Sequence, residues 1–178
     1  TLGTDTAGSI RIPASFCGVT GVRPTTGRVS NRGVVAVSWT FDTVGPIARS
    51  AEDCALLLEA IAGYDGRDPS TAPAPVPPYS ALLEGGVAGL RVGVVRPLLE
   101  QGVDPRVAAA VEGALGELRG AGAEVVDATV PLLDQLGTIQ QAIQFPEATA
   151  AHLPTLRTRL ADYGPDVRAR LLTGLFLP

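Results

Sequence analysis

A turn of small residues leads to a serine near the start of the chain. Thr6, Ala7 and Gly8 precede Ser9, and small residues permit a tight turn whose backbone amides point into one space. If a short helix begins near Ser9, its N-terminal amides add further donors and a partial positive charge. Such donors suit the oxyanion of a tetrahedral intermediate, with the Ser9 hydroxyl as the attacking nucleophile. Spacing alone does not separate this chemistry from a structural turn.

Three other uses of this segment fail on its residues. A phosphate-binding loop requires Walker or Rossmann glycine spacing, and the Walker loop also requires a lysine, neither of which is present. A nucleophile elbow requires Gly-x-Ser-x-Gly, but Arg11 occupies the position of the second glycine. An aspartic-protease motif starting at Asp5 is interrupted by Ala7, and no second carboxylate motif completes a dyad.

Two charged residues flank the serine, and two interpretations of them stay open. Asp5 and Arg11 can form an ion pair that fixes the turn, or they can contact the substrate directly. The first interpretation predicts that Asp5→Asn lowers the yield of folded protein. The second predicts normal folding with a raised Michaelis constant.

The cysteines and the histidine do not suggest a second site. Cys17 and Cys54 are too few and too far apart for a zinc site or a disulfide framework, so we expect two buried free thiols. The single histidine, His152, is expected to be exposed or partly packed. We therefore predict neither a metal nor a cofactor.

Composition restricts the class of protein. The chain has 178 residues, of which 46% are hydrophobic and 18% charged, as expected for a globular protein. It contains no apolar run of about 18 residues and no secretory signal, so we expect a cytoplasmic protein that does not span a membrane. A net charge of −4 gives no footprint for direct nucleic-acid binding. High Ala, Gly and Arg content suggests a GC-rich, bacterial source.

The elements expected around Ser9 are short. Residues 1–48 predict loops and short strands, with a strand at 33–37 and a turn at 42–46. A helix is then predicted from an N-cap at Ser50 to a stop at Gly63. These elements must hold the serine turn in place.

The later part of the chain predicts an α/β layer. In order, it contains a Gly- and Pro-rich break without a helix at 65–89, a strand at 90–95, a helix after the Asp104–Pro105 start, a strand at 123–127, and helical sequence from 137 with a break near Gly164–Pro165. Strand, helix and strand in this order predict two parallel strands joined by a crossover.

The segment from Thr1 to Ser30 closely resembles the amidase signature family, whose pattern is Gly-Thr/Ser-Asp-Thr-Gly-Gly-Ser-Ile-Arg-x-Pro-Ala, then Cys-Gly-Val and Gly-Leu-Lys-Pro-Thr. The same residue types occur here in register, and two of the departures bear on the chemistry. Ala7 replaces a glycine, which matters only if that position needs a positive φ. Arg23 replaces a lysine that is not the catalytic one. The resemblance is specific over residues 1–70 and generic afterwards.

The resemblance implies an α/β fold, part of a large mixed-sheet amidase-signature fold with helices on both faces. Residues 1–178 would be one partial amidase domain without a separate second domain. It would comprise the nucleophile motif and its following helix (1–70), a Pro-rich connection (71–89) and an α/β continuation (90–178). Trp39 and Asp42 would lie near the substrate funnel and are binding candidates.

The resemblance also implies a Ser–Ser–Lys triad that hydrolyses a carboxamide C–N bond through an acyl-enzyme. Ser9 would be the nucleophile, and the amides of Thr6, Ala7, Gly8 and Ser9 would surround the oxyanion. The catalytic lysine and the middle serine belong to family segments upstream of Thr1. All 14 Lys or Arg positions here are arginine, and a guanidinium stays protonated and cannot act as the base.

These observations leave three hypotheses. The chain is the nucleophile-bearing fragment of an amidase, inactive by itself, with a small-molecule amide substrate and a homodimer as one candidate assembly. Alternatively, it derives from the A subunit of a tRNA-dependent amidotransferase, a glutaminase that passes ammonia to a partner. The third hypothesis is a non-catalytic, truncated gene product.

Overall fold

The computed structural model describes residues 1–177, and the chain forms two compact units. The first unit comprises residues 1–82 together with the helical segment from residue 136 onward, and the second comprises residues 83–135. Both units mix helices with small sheets, so the α/β class expected from the sequence is confirmed. Within the described residues, no helix combines the length and apolar character needed to cross a membrane.

A three-stranded antiparallel sheet forms the centre of the N-terminal part of the first unit. Its strands are β1 (Leu2–Asp5), β2 (Thr20–Gly21) and β3 (Thr43–Ala48). The strand order is β1-β3-β2, so β3 is central. Asp5 pairs with Thr43 at the end of β1, which places the turn that follows Asp5 beside the residues that precede β3.

Two helices follow these strands. They are α1 (Arg11–Cys17) and α2 (Ala51–Ile61). The N-cap predicted at Ser50 is confirmed, because the Asp53 amide donates to Ser50 Oγ at 3.0 Å. Helix α2 buries Cys54, Ala55 and Leu58.

The other helices of the first unit come from both ends of its sequence. They are α3 (Tyr79–Leu82), α6 (Leu136–Arg159) and α7 (Pro165–Thr173), with 3₁₀ turns at Leu160–Asp162 and Gly174–Phe176. Ala148 and Leu156 of α6 pack with Leu171 of α7 in a buried apolar cluster, and Tyr163 covers its edge. The break predicted near Gly164 is confirmed, since α7 begins at Pro165.

The second unit contains the predicted crossover. Its elements are a 3₁₀ turn (Leu83–Gly85), β4 (Arg91–Val94), α4 (Pro97–Glu100), α5 (Pro105–Gly120), β5 (Glu124–Asp127) and a 3₁₀ turn (Leu133–Gln135). Strands β4 and β5 are parallel, with Arg91 opposite Glu124. The Asp104 side chain caps α5 by accepting from the Arg106 amide at 2.8 Å.

Three local predictions are wrong. Residues 33–37 form a loop, and residues 43–48, predicted to begin as a turn, form the central strand β3. Gly45 and Pro46 are typical of a turn, but pairing with other strands overrides that preference. The Pro46 carbonyl accepts from the Val22 amide at 3.0 Å. The backbones approach so closely that a Cβ on Gly45 would overlap the Val22 carbonyl oxygen. The Pro-rich connection contains helix α3, which is fastened to α2 because Glu59 Oε1 accepts from the Ser80 amide at 2.6 Å.

Candidate active site

Ser9 lies in the turn between β1 and α1, and it is exposed. The turn spans residues 6–10, and α1 begins at Arg11, close to the expected start. Among residues 1–177 the Ser9 hydroxyl forms no hydrogen bond. The serine is therefore presented at the surface of the turn, with its oxygen free to meet another group.

Asp5 holds the turn from inside. Its side chain has no exposed surface, and its two oxygens accept backbone amides from the turn on both sides of Ser9. Gly8 donates to Oδ1 at 2.7 Å, Ile10 donates to Oδ2 at 3.2 Å, and Arg11 donates to Oδ2 at 3.4 Å. A buried carboxylate with this many donors fixes the backbone of the turn.

The ion pair between Asp5 and Arg11 is present. Arg11 Nε lies 3.0 Å from Oδ2 and Nη2 lies 3.1 Å from Oδ1, a bidentate arrangement. Arg23 adds a second positive charge, with Nε at 3.6 Å from Oδ1. Arg23 also donates to the Phe41 carbonyl at 2.7 Å, so this arginine ties the end of β1 to the segment before β3.

These contacts set the charge state of Asp5. Burial raises the pKa of its carboxyl, but the hydrogen bonds from Arg11 and from the amides of Gly8 and Ile10 outweigh burial and lower the pKa to about 2. Asp5 is therefore ionised at neutral pH, and its lone pairs are occupied within the turn. Its geometry matches the first interpretation of Asp5, a fixed support for the turn.

The free amides of the turn differ from the predicted set. The Gly8 amide, predicted to face the oxyanion, is already bonded to Asp5. The amides at the start of α1 are also engaged, since Ile10 and Arg11 donate to Asp5 and Ile12 donates to the Gly8 carbonyl at 2.7 Å.

Among the residues that the structure describes, the amides of Thr6, Ala7 and Ser9 have no intramolecular acceptor. The free amides therefore belong to the turn itself and not to the end of the helix.

The glycine that the turn requires is Gly8, and the alanine at position 7 is harmless. Gly8 has φ +125°, whereas Ala7 is not among the residues with positive φ. A Cβ on Gly8 would also approach Ile12 Cδ1 to 2.7 Å. The departure at Ala7 therefore leaves the backbone of the turn unstrained.

Asp42, predicted as a substrate contact, is enclosed by the protein. It is 4% exposed, and both carboxylate oxygens are occupied. Oδ1 accepts from Thr6 Oγ1 at 2.5 Å, and Oδ2 accepts from the amides of Val37 and Ser38 at 2.8 and 3.0 Å. Its place is between the serine turn and the loop of residues 37–42, which we call the Trp39 loop. Trp39 itself is 56% exposed, so it remains available to a ligand.

Glu147 of α6 is a component of this region that the sequence did not reveal. Its Oε2 accepts from the Ser38 hydroxyl and from the Thr40 amide, the latter at 3.2 Å, and its Oε1 accepts from Thr40 Oγ1 at 2.5 Å. More than 100 residues separate Glu147 from the Trp39 loop, and no local pattern marks a contact of that span.

The other candidates lie apart from the serine turn. His152 is partly packed, as predicted, with Nδ1 at 3.1 Å from the Tyr163 hydroxyl. Cys54 is a buried thiol, and burial raises its pKa. Cys17 is exposed, so the prediction that it is buried is wrong. It is the last residue of α1, a short helix in which only Ala14 is buried.

Comparison with known proteins identifies the family. The Amidase family model matches residues 1–173. The chain belongs to the amidase family. The resemblance drawn from the motifs is thereby confirmed, and it extends over nearly the whole chain and not only over residues 1–70.

Relatives of the chain include an enzyme and a component of an amidotransferase. An amidase from Pseudomonas putida is 44% identical over 173 residues, covering 97% of this chain and 37% of that protein. The A subunit of glutamyl-tRNA(Gln) amidotransferase from Acidobacterium capsulatum is 40% identical over 196 residues, covering 99% of this chain and 41% of that protein. The chain thus spans about two-fifths of the length of these relatives.

A solved structure shares the fold as well. It is described as an unexpected vestigial protein complex that reveals the evolutionary origins of an s-triazine catabolic enzyme. It superposes with a TM-score of 0.90 at 37% identity, covering 99% of this chain and 38% of that one. The helices and strands of this chain are therefore arranged as in an amidase-family protein.

Proposed function

We propose that this chain is the nucleophile-bearing part of an amidase that hydrolyses a carboxamide C–N bond through a serine acyl-enzyme. The observation that carries the proposal is the exposed Ser9. It lies in a turn that the buried Asp5 holds in place and that leaves three amides without an intramolecular acceptor. Membership of the amidase family supports the reaction class.

The proposed reaction has two halves, acylation of Ser9 and hydrolysis of the resulting ester. Ser9 Oγ attacks the amide carbonyl carbon, and the resulting oxyanion accepts hydrogen bonds from the amides of Thr6, Ala7 and Ser9. The C–N bond then breaks, the amine leaves with a proton, and water later hydrolyses the ester to Ser9. One oxyanion donor contributes roughly 3 kcal/mol to the stability of the transition state.

The proton acceptor for Ser9 is not supplied by these residues. The chain contains no lysine, and arginine stays protonated at any physiological pH. We therefore propose that a lysine and a middle serine from the remainder of the full-length protein complete the Ser–Ser–Lys triad, and that residues 1–178 alone are inactive.

The assay is covalent labelling of the full-length protein with a fluorophosphonate, followed by peptide mapping. We expect the label on Ser9 and its loss in Ser9→Ala. Ser15→Ala is the matched control, because Ser15 is another exposed serine, on α1 and six residues away, and it should label as the wild type does. Labelling that persists in Ser9→Ala refutes the nucleophile assignment. An unlabelled wild type favours the hypothesis of a non-catalytic product.

A second candidate function is that of the A subunit of a tRNA-dependent amidotransferase. The 40% identity to the Acidobacterium capsulatum protein supports it. Ammonia release from glutamine, coupled to amide transfer onto glutamyl-tRNA(Gln) only when partner proteins are added, would favour this function. Hydrolysis of simple carboxamides without any partner would favour the amidase.

A further inference from the structure

A chain of hydrogen bonds connects the serine turn to helix α6. Thr6 Oγ1 donates to Asp42 Oδ1, Asp42 Oδ2 accepts from the Ser38 amide, and the Ser38 hydroxyl donates to Glu147. Asp42 and Ser38 are buried, at 4% and 0% exposure. These groups therefore do not exchange their partners for water, and the geometry of each depends on the next.

The first link of this chain acts on a candidate oxyanion donor. Thr6 places its hydroxyl against Asp42 while its own backbone amide has no acceptor among residues 1–177. Asp5 fixes the later part of the turn through Gly8, Ile10 and Arg11 but makes no bond to the Thr6 amide. The bond from the Thr6 side chain to Asp42 therefore limits rotation of this residue.

Asp42 is itself fixed by hydrogen bonds to its side chain and to its backbone. Two amides of the Trp39 loop donate to its Oδ2, and Asn31 Nδ2 donates to its backbone carbonyl at 2.8 Å. A carboxylate with this support can orient a partner without moving to follow it. It is also too enclosed to reach a substrate.

We infer that Asp42 is a positioning residue, which directs the Thr6 amide toward the oxyanion by holding the Thr6 hydroxyl. This inference rests on the proposed function of Ser9. Glu147 supports the same arrangement from α6 by fixing the Trp39 loop. The role predicts a loss in the rate of Ser9 acylation and no loss in substrate affinity, because the bond orients a donor that matters only when negative charge develops.

The test uses the full-length protein and compares Thr6→Val, which removes the hydroxyl at constant shape, with Thr6→Ser, which keeps it. We expect Thr6→Val to lower both kcat and the fluorophosphonate labelling rate about tenfold with KM within about twofold. Thr6→Ser should return both to within about threefold of wild type. Thr26→Val is the matched control, because Thr26 is exposed in a loop and its hydroxyl forms no bond within the described residues; it should behave as the wild type.

A double-mutant experiment then measures the coupling between Thr6 and Asp42. If Asp42 acts through Thr6, then Asp42→Asn should lower the labelling rate, and adding it to Thr6→Val should cause little further loss. Multiplicative losses, or a rise in KM at unchanged kcat, overturn the inference. The same holds if Thr6→Val labels at the wild-type rate or Thr6→Ser fails to rescue.

The proposed function has its own readout in this experiment. Labelling that survives Ser9→Ala refutes the proposed function and, with it, the positioning role of Asp42. Labelling that requires Ser9 but is unaffected by Thr6→Val refutes only the positioning role of Asp42. Melting temperatures of all variants show whether a variant has lost its fold, in which case the Ser and Val variants at position 6, on the partly exposed turn, decide the question.

Discussion

Replacement of Asp5 by asparagine should destabilise the fold by an amount that depends on pH. The carboxyl pKa falls from an ordinary 3.8 to about 2 in the folded protein. At about 1.4 kcal/mol for each pH unit, this difference corresponds to about 2.5 kcal/mol of folding stability at neutral pH. Asparagine keeps the shape of the side chain but loses the charge that Arg11 and the turn amides contact.

The sign of the pH dependence follows from the direction of the pKa. Because the folded pKa is lower than the unfolded one, ionised Asp5 stabilises the fold fully above about pH 4. This stabilisation is lost as the pH falls from about 4 to about 2, where the folded form also takes up the proton. The difference between wild type and Asp5→Asn should therefore be constant from pH 5 to 7 and shrink towards zero near pH 2.

Urea unfolding of both proteins at pH 7, 5, 3.5 and 2.5 measures this difference. Asp162→Asn is the matched control, because Asp162 also pairs with an arginine, with Oδ2 at 2.7 Å from Arg159 Nε, yet both side chains are more than half exposed. A pair in that position contributes about 0–1 kcal/mol. A loss below about 1 kcal/mol for Asp5→Asn, or a difference that does not change with pH, would refute the assignment of Asp5 as the fixed support of the turn.

Three further predictions test the serine turn, the start of α2 and the two thiols. Gly8→Ala should cost roughly 1–3 kcal/mol and abolish labelling of the full-length protein, because φ is +125° there, whereas Ala7→Gly should cost less than about 1 kcal/mol; urea unfolding and fluorophosphonate labelling measure both. Ser50→Ala should cost about 1 kcal/mol in urea unfolding, since it removes the cap of α2. Iodoacetamide should modify exposed Cys17 in the native protein and Cys54 only after denaturation, because Cys54 is buried and its pKa is raised; mass spectrometry of the peptides shows which thiol reacts.

The features predicted correctly depend on residues close together in sequence. A capping side chain at Ser50 or Asp104 bonds an amide two or three residues away, so the start of the helix is encoded where it occurs. The crossover is similar, because two short apolar strands on either side of an amphipathic helix have few alternatives to parallel pairing.

The features predicted wrongly depend on distant partners. Gly45 and Pro46 have the composition of a turn, but they lie in β3 because β1 and β2 pair with that strand from both sides. The glycine is needed there for close approach of the Val22 backbone and not for a turn. A local preference worth a fraction of a kcal/mol yields to pairing on both edges of a strand.

In the serine turn too, some features depend on neighbouring residues and others on distant contacts. Residue types and order identified Ser9 and the small residues before it, and these are the residues that the turn contains. They did not identify which amides are free, because that depends on where the two oxygens of Asp5 point after β1 has paired with β3. A hydrogen bond to a buried carboxylate removes a donor from use by any other group. Which amides stay free therefore depends on the position of the Asp5 side chain and not on the residue types of the turn alone. Thr6 depends on the sheet in the same way, since its amide stays free while its hydroxyl is held by Asp42, the residue that immediately precedes the paired strand β3.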